Sequence, residues 1–150
     1  MRSISAQMES GVDMVTQTVL IVEDDVLNRK IAGLCLDKAA IPYHTVENGR
    51  EALASIESGN QYAAIFMDCH MPVMDGFTAT KYIREWEKEH SVRRTPIYAF
   101  TADTAAADKR HCLQSGMDGC LAKPQGFTQL SVVYAQLFAN NISASCFEEE

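Results

Sequence analysis

Short apolar runs alternate with helical stretches along this chain, an order that only a few layered architectures satisfy. The third run, Ala63-Ala64-Ile65-Phe66-Met67, is too brief for a helix and is soon followed by Pro72, so it reads as a strand buried on both faces. It stops abruptly at the carboxylate of Asp68. The first run, Thr18-Val19-Leu20-Ile21-Val22, is β-branched and apolar and ends at Glu23-Asp24-Asp25. Pro42-Tyr43-His44-Thr45-Val46, bounded by proline and by Glu47-Asn48-Gly49, predicts a short strand at or near a sheet edge, where proline is tolerated. Ile97-Tyr98-Ala99-Phe100 ends at Thr101-Ala102, and Gly119-Cys120-Leu121-Ala122 ends at Lys123-Pro124.

Helical periodicity fills the intervals. Leu27, Ile31 and Leu34 recur at i, i+4 and i+7 behind a capping Asp25, with Asn28, Arg29 and Lys38 on other faces, and predict a helix ending near Ala39-Ala40. Ala52, Leu53 and Ile56 give the stretch after Gly49 an apolar side, which Ser58-Gly59-Asn60 closes. From Phe77 to Glu89, Ala79, Ile83 and Trp86 fall at helical spacing, with Lys81, Arg84, Glu85 and Lys88 outside. Asp103 to Ser115 is Ala-rich and more weakly amphipathic, closed by Gly116, and Phe127 to Asn140 carries the stripe Leu130, Val133, Tyr134, Leu137 and Phe138. Five strands alternating with five helices imply an α/β fold with a mainly parallel sheet covered on both faces, a flavodoxin-like doubly wound arrangement of order 2-1-3-4-5. Residues 1–17 read as a disordered leader or linker, 18–140 as the folded domain and 141–150 as a tail.

Composition narrows the function classes. Hydrophobic residues at 47% and charged residues at 22% match a globular domain able to bury a core. The net charge of -7 speaks against a nucleic-acid surface, which needs clustered Lys and Arg. Arg93-Arg94 and Lys109-Arg110 are short and read as solvated. Five cysteines without a C-x-x-C pair fit neither a disulfide framework nor a zinc site and point to a reducing, cytoplasmic setting. No stretch near the N-terminus is apolar enough for a signal peptide or a membrane span.

The strand ends carry the chemistry. In open α/β sheets, ligands bind at the carboxyl ends of the strands. There the chain places Glu23 and Asp24, Asp68, Thr101 and Lys123. Alone, Asp68 reads equally as a turn or capping residue. Carboxylates gathered without partnering cations repel, and a hard divalent ion relieves this: Mg2+ is commonly held by one or two carboxylates plus a phosphate, which suits Asp24, Asp68 and an incoming phosphoryl group. A Thr101 hydroxyl and a Lys123 ammonium are suited to the oxygens of that group. Carboxylates also act as nucleophiles toward phosphorus.

With these residues in place the chain resembles a two-component response-regulator receiver domain over roughly residues 18–140. The resemblance rests on Val19-Leu20-Ile21-Val22-Glu23-Asp24-Asp25 with Asn28-Arg29, Met67-Asp68-Cys69-His70-Met71-Pro72-Val73-Met74-Asp75-Gly76, Thr101-Ala102, Gly116-Met117-Asp118-Gly119 and Lys123-Pro124, all in family order. It implies that Asp68 is the phosphoacceptor, with Thr101 and Lys123 serving the phosphoryl group. Glu23, Asp24, Asp68 and the His70 backbone carbonyl would hold Mg2+ or Mn2+, Thr101 with position 120 would report phosphorylation, and the Lys123-Pro124 bond would be cis. The Met-Pro-x-Met-Asp-Gly form and Asn28-Arg29 look most like receivers of hybrid sensor histidine kinases. Expected partners are therefore a sensor histidine kinase and a histidine phosphotransfer domain, docking near Asn28, Arg29 and Ile31, in the cytoplasm or the cytoplasmic part of a membrane-bound kinase.

One departure stands out: the family's Tyr or Phe three residues before the lysine is Cys120 here, which would weaken or reroute the conformational signal. An interaction-only receiver is one alternative. An aspartyl-nucleophile phosphatase of the haloacid dehalogenase type is another, although it would need a second Asp where this chain has His70. His70 sits where the family tunes phosphoryl lifetime, or is an exposed loop residue. Cys69 reads as a small buried hydrophobe, with no resolving cysteine adjacent in sequence. His44, His90 and His111 show no metal spacing, and Asp75 and Asp103 read as helix caps.

Overall fold

Strand formation follows the apolar runs closely. The computed structural model describes residues 17–101, 106–123 and 125–137, and within them a single sheet holds β1 (Val19–Val22), β2 (Tyr43–Val46), β3 (Ala64–Asp68), β4 (Ile97–Thr101) and β5 (Gly119–Ala122). All neighbours pair in parallel, in the order β2-β1-β3-β4-β5 expected from the alternation of elements. Every residue of β1 and β3 is buried, as continuous apolar runs require. β2, with its preceding proline, lies at the edge with only partial burial. Register brings Asp68 opposite Phe100 and Thr101 opposite Ala122, so the polar ends of β3, β4 and β5 share one rim.

The crossovers are α1 (Val26–Lys38), α2 (Gly49–Glu57), α3 (Gly76–Glu89) and α4 (Ala106–Ser115). A 3-10 turn at Gln125–Gln129 then runs into helix α5 over residues 130–137. Side chains alternate between two cores. Leu20, Val22, Ile65, Met67, Ile97 and Ala99 pack with α2, α3 and α4, whereas Val19, Ile21, Phe66 and Phe100 pack with α1 and α5. The predicted caps hold: Asp25 accepts from the Leu27 amide at 2.9 Å and Asp75 from the Thr78 amide at 2.8 Å. Asn48 caps α2 in the same way, accepting from the Glu51 amide at 2.9 Å.

Two side-chain placements differ from the periodicity. On α1 the residues facing the sheet are Ala32, Gly33 and Leu36, while Leu27 and Leu34 point to solvent with exposures of 63% and 67%. At position 33 Tyr43 lies so close that no side chain fits: a Cβ on Gly33 would come within 2.6 Å of the Tyr43 hydroxyl. Arg84, expected outside, is instead largely buried. It binds the Gly116 and Thr95 carbonyls, Glu87 and Asp118 at 2.8–3.0 Å, and so ties α3 to the starts of β4 and β5. The start of the fourth helix at Asp103, Pro124 with its expected cis bond, Phe138–Asn140 and the segments 1–16 and 141–150 lie outside the described residues. From the expected leader, only Gln17 is described, its carbonyl accepting the Tyr134 hydroxyl at 3.1 Å.

Candidate functional site

Asp68 closes β3 and is buried at the rim. Its position depends on the loop behind it, which turns back so tightly that the Gly76 amide donates to the Cys69 carbonyl at 3.0 Å. A Cβ at Gly76 would overlap the Asp68 carbonyl oxygen, so only glycine allows α3 to begin there. The same loop holds Val73 at φ +73°, a left-handed conformation that a β-branched residue adopts only under constraint. Met74 supplies one anchor, its carbonyl accepting from the Gly49 amide at 3.0 Å, which joins this loop to the start of α2.

The Asp68 carboxylate receives two donors. Its Oδ1 accepts from the His70 amide at 3.1 Å, and its Oδ2 lies 3.1 Å from Lys123 Nζ. The same ammonium is 3.0 Å from Oε1 of Glu23, a residue almost wholly removed from solvent at the end of β1. The other Glu23 oxygen accepts from the Asp25 amide at 3.2 Å, but Oε1 is left without a hydrogen bond of good geometry. Asp24 stands beside them, exposed, with carboxylate oxygens of Glu23, Asp24 and Asp68 all within 4.8 Å of one another.

Electrostatics follow from this crowding. Burial, opposed by the close Lys123 ammonium and reinforced by the charge of Asp68, pushes the Glu23 carboxyl above its ordinary range. Burial pulls the Lys123 ammonium downward, yet Glu23 and Asp68 outweigh it and hold the lysine above its ordinary value. Three carboxylates against one ammonium leave two negative charges in a small volume. The donor set is all oxygen, one buried oxygen has an ion pair but no hydrogen bond, and the excess charge equals that of a divalent cation. These features fit Mg2+ or Mn2+.

Of the other sequence-predicted residues, Thr101 is buried at the end of β4, and its carbonyl accepts from the Lys123 amide at 2.9 Å, which sets where that side chain leaves β5. Cys120 is half-buried on β5, packed against the core under α2, α3 and α4. Arg29 donates to the Glu23 carbonyl at 2.8 Å and lies 3.7 Å from Glu47, so it buttresses the acidic turn. Asn28 and Ile31 are partly exposed on α1. His70 is exposed, its ring edge-on to Phe77 with centroids 5.8 Å apart. His111 of α4 stacks on the same Phe77 at 3.7 Å. Sequence spacing gave no sign of this His70-Phe77-His111 arrangement, because it joins a loop to two separate helices.

A family model for the response regulator receiver domain matches residues 19–134. The chain belongs to that family. Among curated relatives, the receiver is 44% identical over 105 residues to hybrid signal transduction histidine kinase A of Dictyostelium discoideum, covering 70% of this chain but only 5% of that protein. Among solved structures it is similar to the receiver domain of Ssk1 from Saccharomyces cerevisiae, crystallised with the histidine phosphotransfer protein Ypd1. That match has a TM-score of 0.76 and 36% identity, covering 84% of this chain and 91% of that one. A sensor histidine kinase receiver from Pseudomonas aeruginosa PAO1, solved with a magnesium ion coordinated in its active site cleft, has a TM-score of 0.72 and 35% identity, covering 83% of this receiver and 98% of its counterpart. Among the described residues, no helix is long and apolar enough to cross a membrane.

Proposed function

We propose that this receiver takes a phosphoryl group from a phosphohistidine onto Asp68 and passes it to a histidine phosphotransfer domain. The observation that carries the reading is the contact of Lys123 Nζ with Asp68 beside the three clustered carboxylates. An Asp68 oxygen attacks phosphorus, the bond from phosphorus to the donor nitrogen breaks, and the electron pair leaves with the imidazole. Glu23, Asp24, Asp68 and the His70 backbone carbonyl would hold Mg2+ or Mn2+, which neutralises charge on the phosphoryl oxygens when bound. Lys123 offers its ammonium to one of those oxygens and Thr101 its hydroxyl to another. With the small Cys120 in place of an aromatic, the movement of Thr101 displaces less of the surface around β5, which suits onward transfer over driving an output domain.

Partner choice follows from α1. Leu27 and Leu34 expose an apolar stripe flanking Ile31 and Asn28, next to the rim that holds Asp68. Such a stripe suits an apolar face on a histidine phosphotransfer domain, and the Ssk1 receiver was crystallised with a histidine phosphotransfer protein. We place the domain over residues 18–140, in the cytoplasm, as part of a hybrid kinase or as a separate relay protein.

Incubation with Mg2+ and acetyl phosphate, followed by intact mass measurement, tests the reading. One added phosphoryl group, lost in Asp68→Asn and in the presence of a chelator, is the expected result. A folded protein that gains no phosphoryl group under these conditions would overturn it, and multiple turnover of small phosphoesters would point to a phosphatase instead.

A further inference from the structure

We propose that Cys69 and Cys112 form a reversible disulfide when the protein meets a hydroperoxide, fastening α4 to the loop that follows Asp68. The two sulfurs lie 3.9 Å apart although 43 positions separate them in sequence. Both are buried in the core beneath α2, α3 and α4. Closing that separation to the bonding distance of about 2.05 Å calls for a side-chain rotation and a shift of α4.

The two thiols are held differently. Cys69 is fixed in the backbone of the rim: its amide donates to the Phe100 carbonyl at 3.1 Å and its carbonyl accepts from the Gly76 amide at 3.0 Å. Cys112 rides on α4, whose described side chains run from residue 109 to 115. Cys112 and Ser115 are buried there, whereas Lys109, Arg110, His111, Leu113 and Gln114 are exposed. Local opening of a helix at the surface admits a small oxidant to thiols that are otherwise shielded. No other cysteine has a comparable partner among the described residues. Cys35 belongs to the opposite core, and Cys120 lies on β5 with no sulfur contact of this kind.

The chemistry balances with the hydroperoxide as oxidant. One thiol takes an oxygen as the O–O bond breaks, giving a sulfenic acid and, for hydrogen peroxide, one water. The second sulfur then attacks the first, the S–O bond breaks, the S–S bond forms, and the departing hydroxyl leaves as a second water with the remaining thiol proton. Both sulfurs are oxidised and both peroxide oxygens reduced. Disulfide formation does not depend on phosphorylation of Asp68. Its consequence is mechanical: the bond fixes α4 against the loop that carries His70 and leads into α3, where Phe77 lies.

The test treats the full chain with hydrogen peroxide, alkylates remaining thiols and maps peptides without reductant. The expected product is a Cys69–Cys112 linked pair, lighter by the two thiol hydrogens and reversed by dithiothreitol, with the thiol titre falling from the five of the sequence by two. Amide exchange across α4 should slow in the oxidised protein and recover on reduction. Cys112→Ser should lose both the linked peptide and the exchange effect, and Cys69→Ala serves the same purpose if that variant does not fold. Oxidation confined to Cys35, Cys120 or Cys146, a link from Cys69 to any of these, or a Cys69–Cys112 link formed only in denaturant would overturn the proposal.

Discussion

Lys123 reaches back from the end of β5 to place its ammonium 3.1 Å from Asp68, with the lysine side chain only 16% exposed. Charge at this depth is costly unless paired, so the contact ties the integrity of the rim to its chemistry. Removing the ammonium leaves Glu23 and Asp68 facing each other without a cation. Lys123→Ala is expected to lower the metal-free unfolding free energy by about 3 kcal/mol, the scale for breaking a buried pair. Urea denaturation measures this, and the phosphoryl adduct from acetyl phosphate should fall sharply in the same variant.

Glu23 gives the metal-free protein a pH signature. Burial, with the charge of Asp68, raises its folded pKa above the reference 4.5 despite Lys123. The native state then binds more protons than the unfolded state between 4.5 and that raised value, so stability falls as pH rises through this window. Glu23→Gln should remove the slope, and Mg2+ should flatten it by favouring the charged carboxyl. Denaturation midpoints recorded upward from pH 4.5, with and without Mg2+, show whether it does. Lys123 acts at the other end: its folded pKa lies above 10.5, so its stabilisation is complete below 10.5 and is lost as pH rises through the raised value.

Gly76 admits no side chain. A Cβ there meets the Asp68 carbonyl oxygen directly, and both backbones belong to buried elements that cannot give way cheaply. Gly76→Ala is expected to cost about 1–3 kcal/mol, as overpacking does, and to slow phosphorylation by shifting Asp68. Chemical denaturation and phosphorylation rates on the one variant measure both effects.

Leu27 and Leu34 should separate folding from recognition. Because both side chains stand in solvent, replacing them by alanine is expected to change stability by no more than about 0.5 kcal/mol. Transfer between this receiver and a histidine phosphotransfer protein should slow several-fold, while phosphorylation by acetyl phosphate stays unchanged. A parallel loss with both donors would place the defect in the site and not in docking.

Strand identity and order, the caps at Asp25 and Asp75, and the gathering of Glu23, Asp24, Asp68 and Lys123 were legible in the sequence. A short apolar run has few ways to satisfy its backbone and bury its side chains, so a polar residue at its end falls on a predictable rim. Helix faces were less legible. The i, i+4, i+7 stripe of α1 looked like a core face, yet only Ile31 of it packs against the core, while Ala32, Gly33 and Leu36 are the buried residues and Leu27 and Leu34 stand in solvent. Arg84 looked solvated because its partners, Asp118 and the Gly116 and Thr95 carbonyls, come from later elements.

The sequence by itself therefore determined the alternating architecture and the residues at the ends of its strands, because these depend on local periodicity and on the one-directional crossovers of a parallel sheet. Only the tertiary structure decided the relations between distant side chains. It set Lys123 against both Glu23 and Asp68, turned the stripe of Leu27 and Leu34 outward, and brought Cys112 beside Cys69. Distances of this kind are fixed by how helices settle on a twisted sheet, where side-chain volume and charge pairing compete across the whole fold.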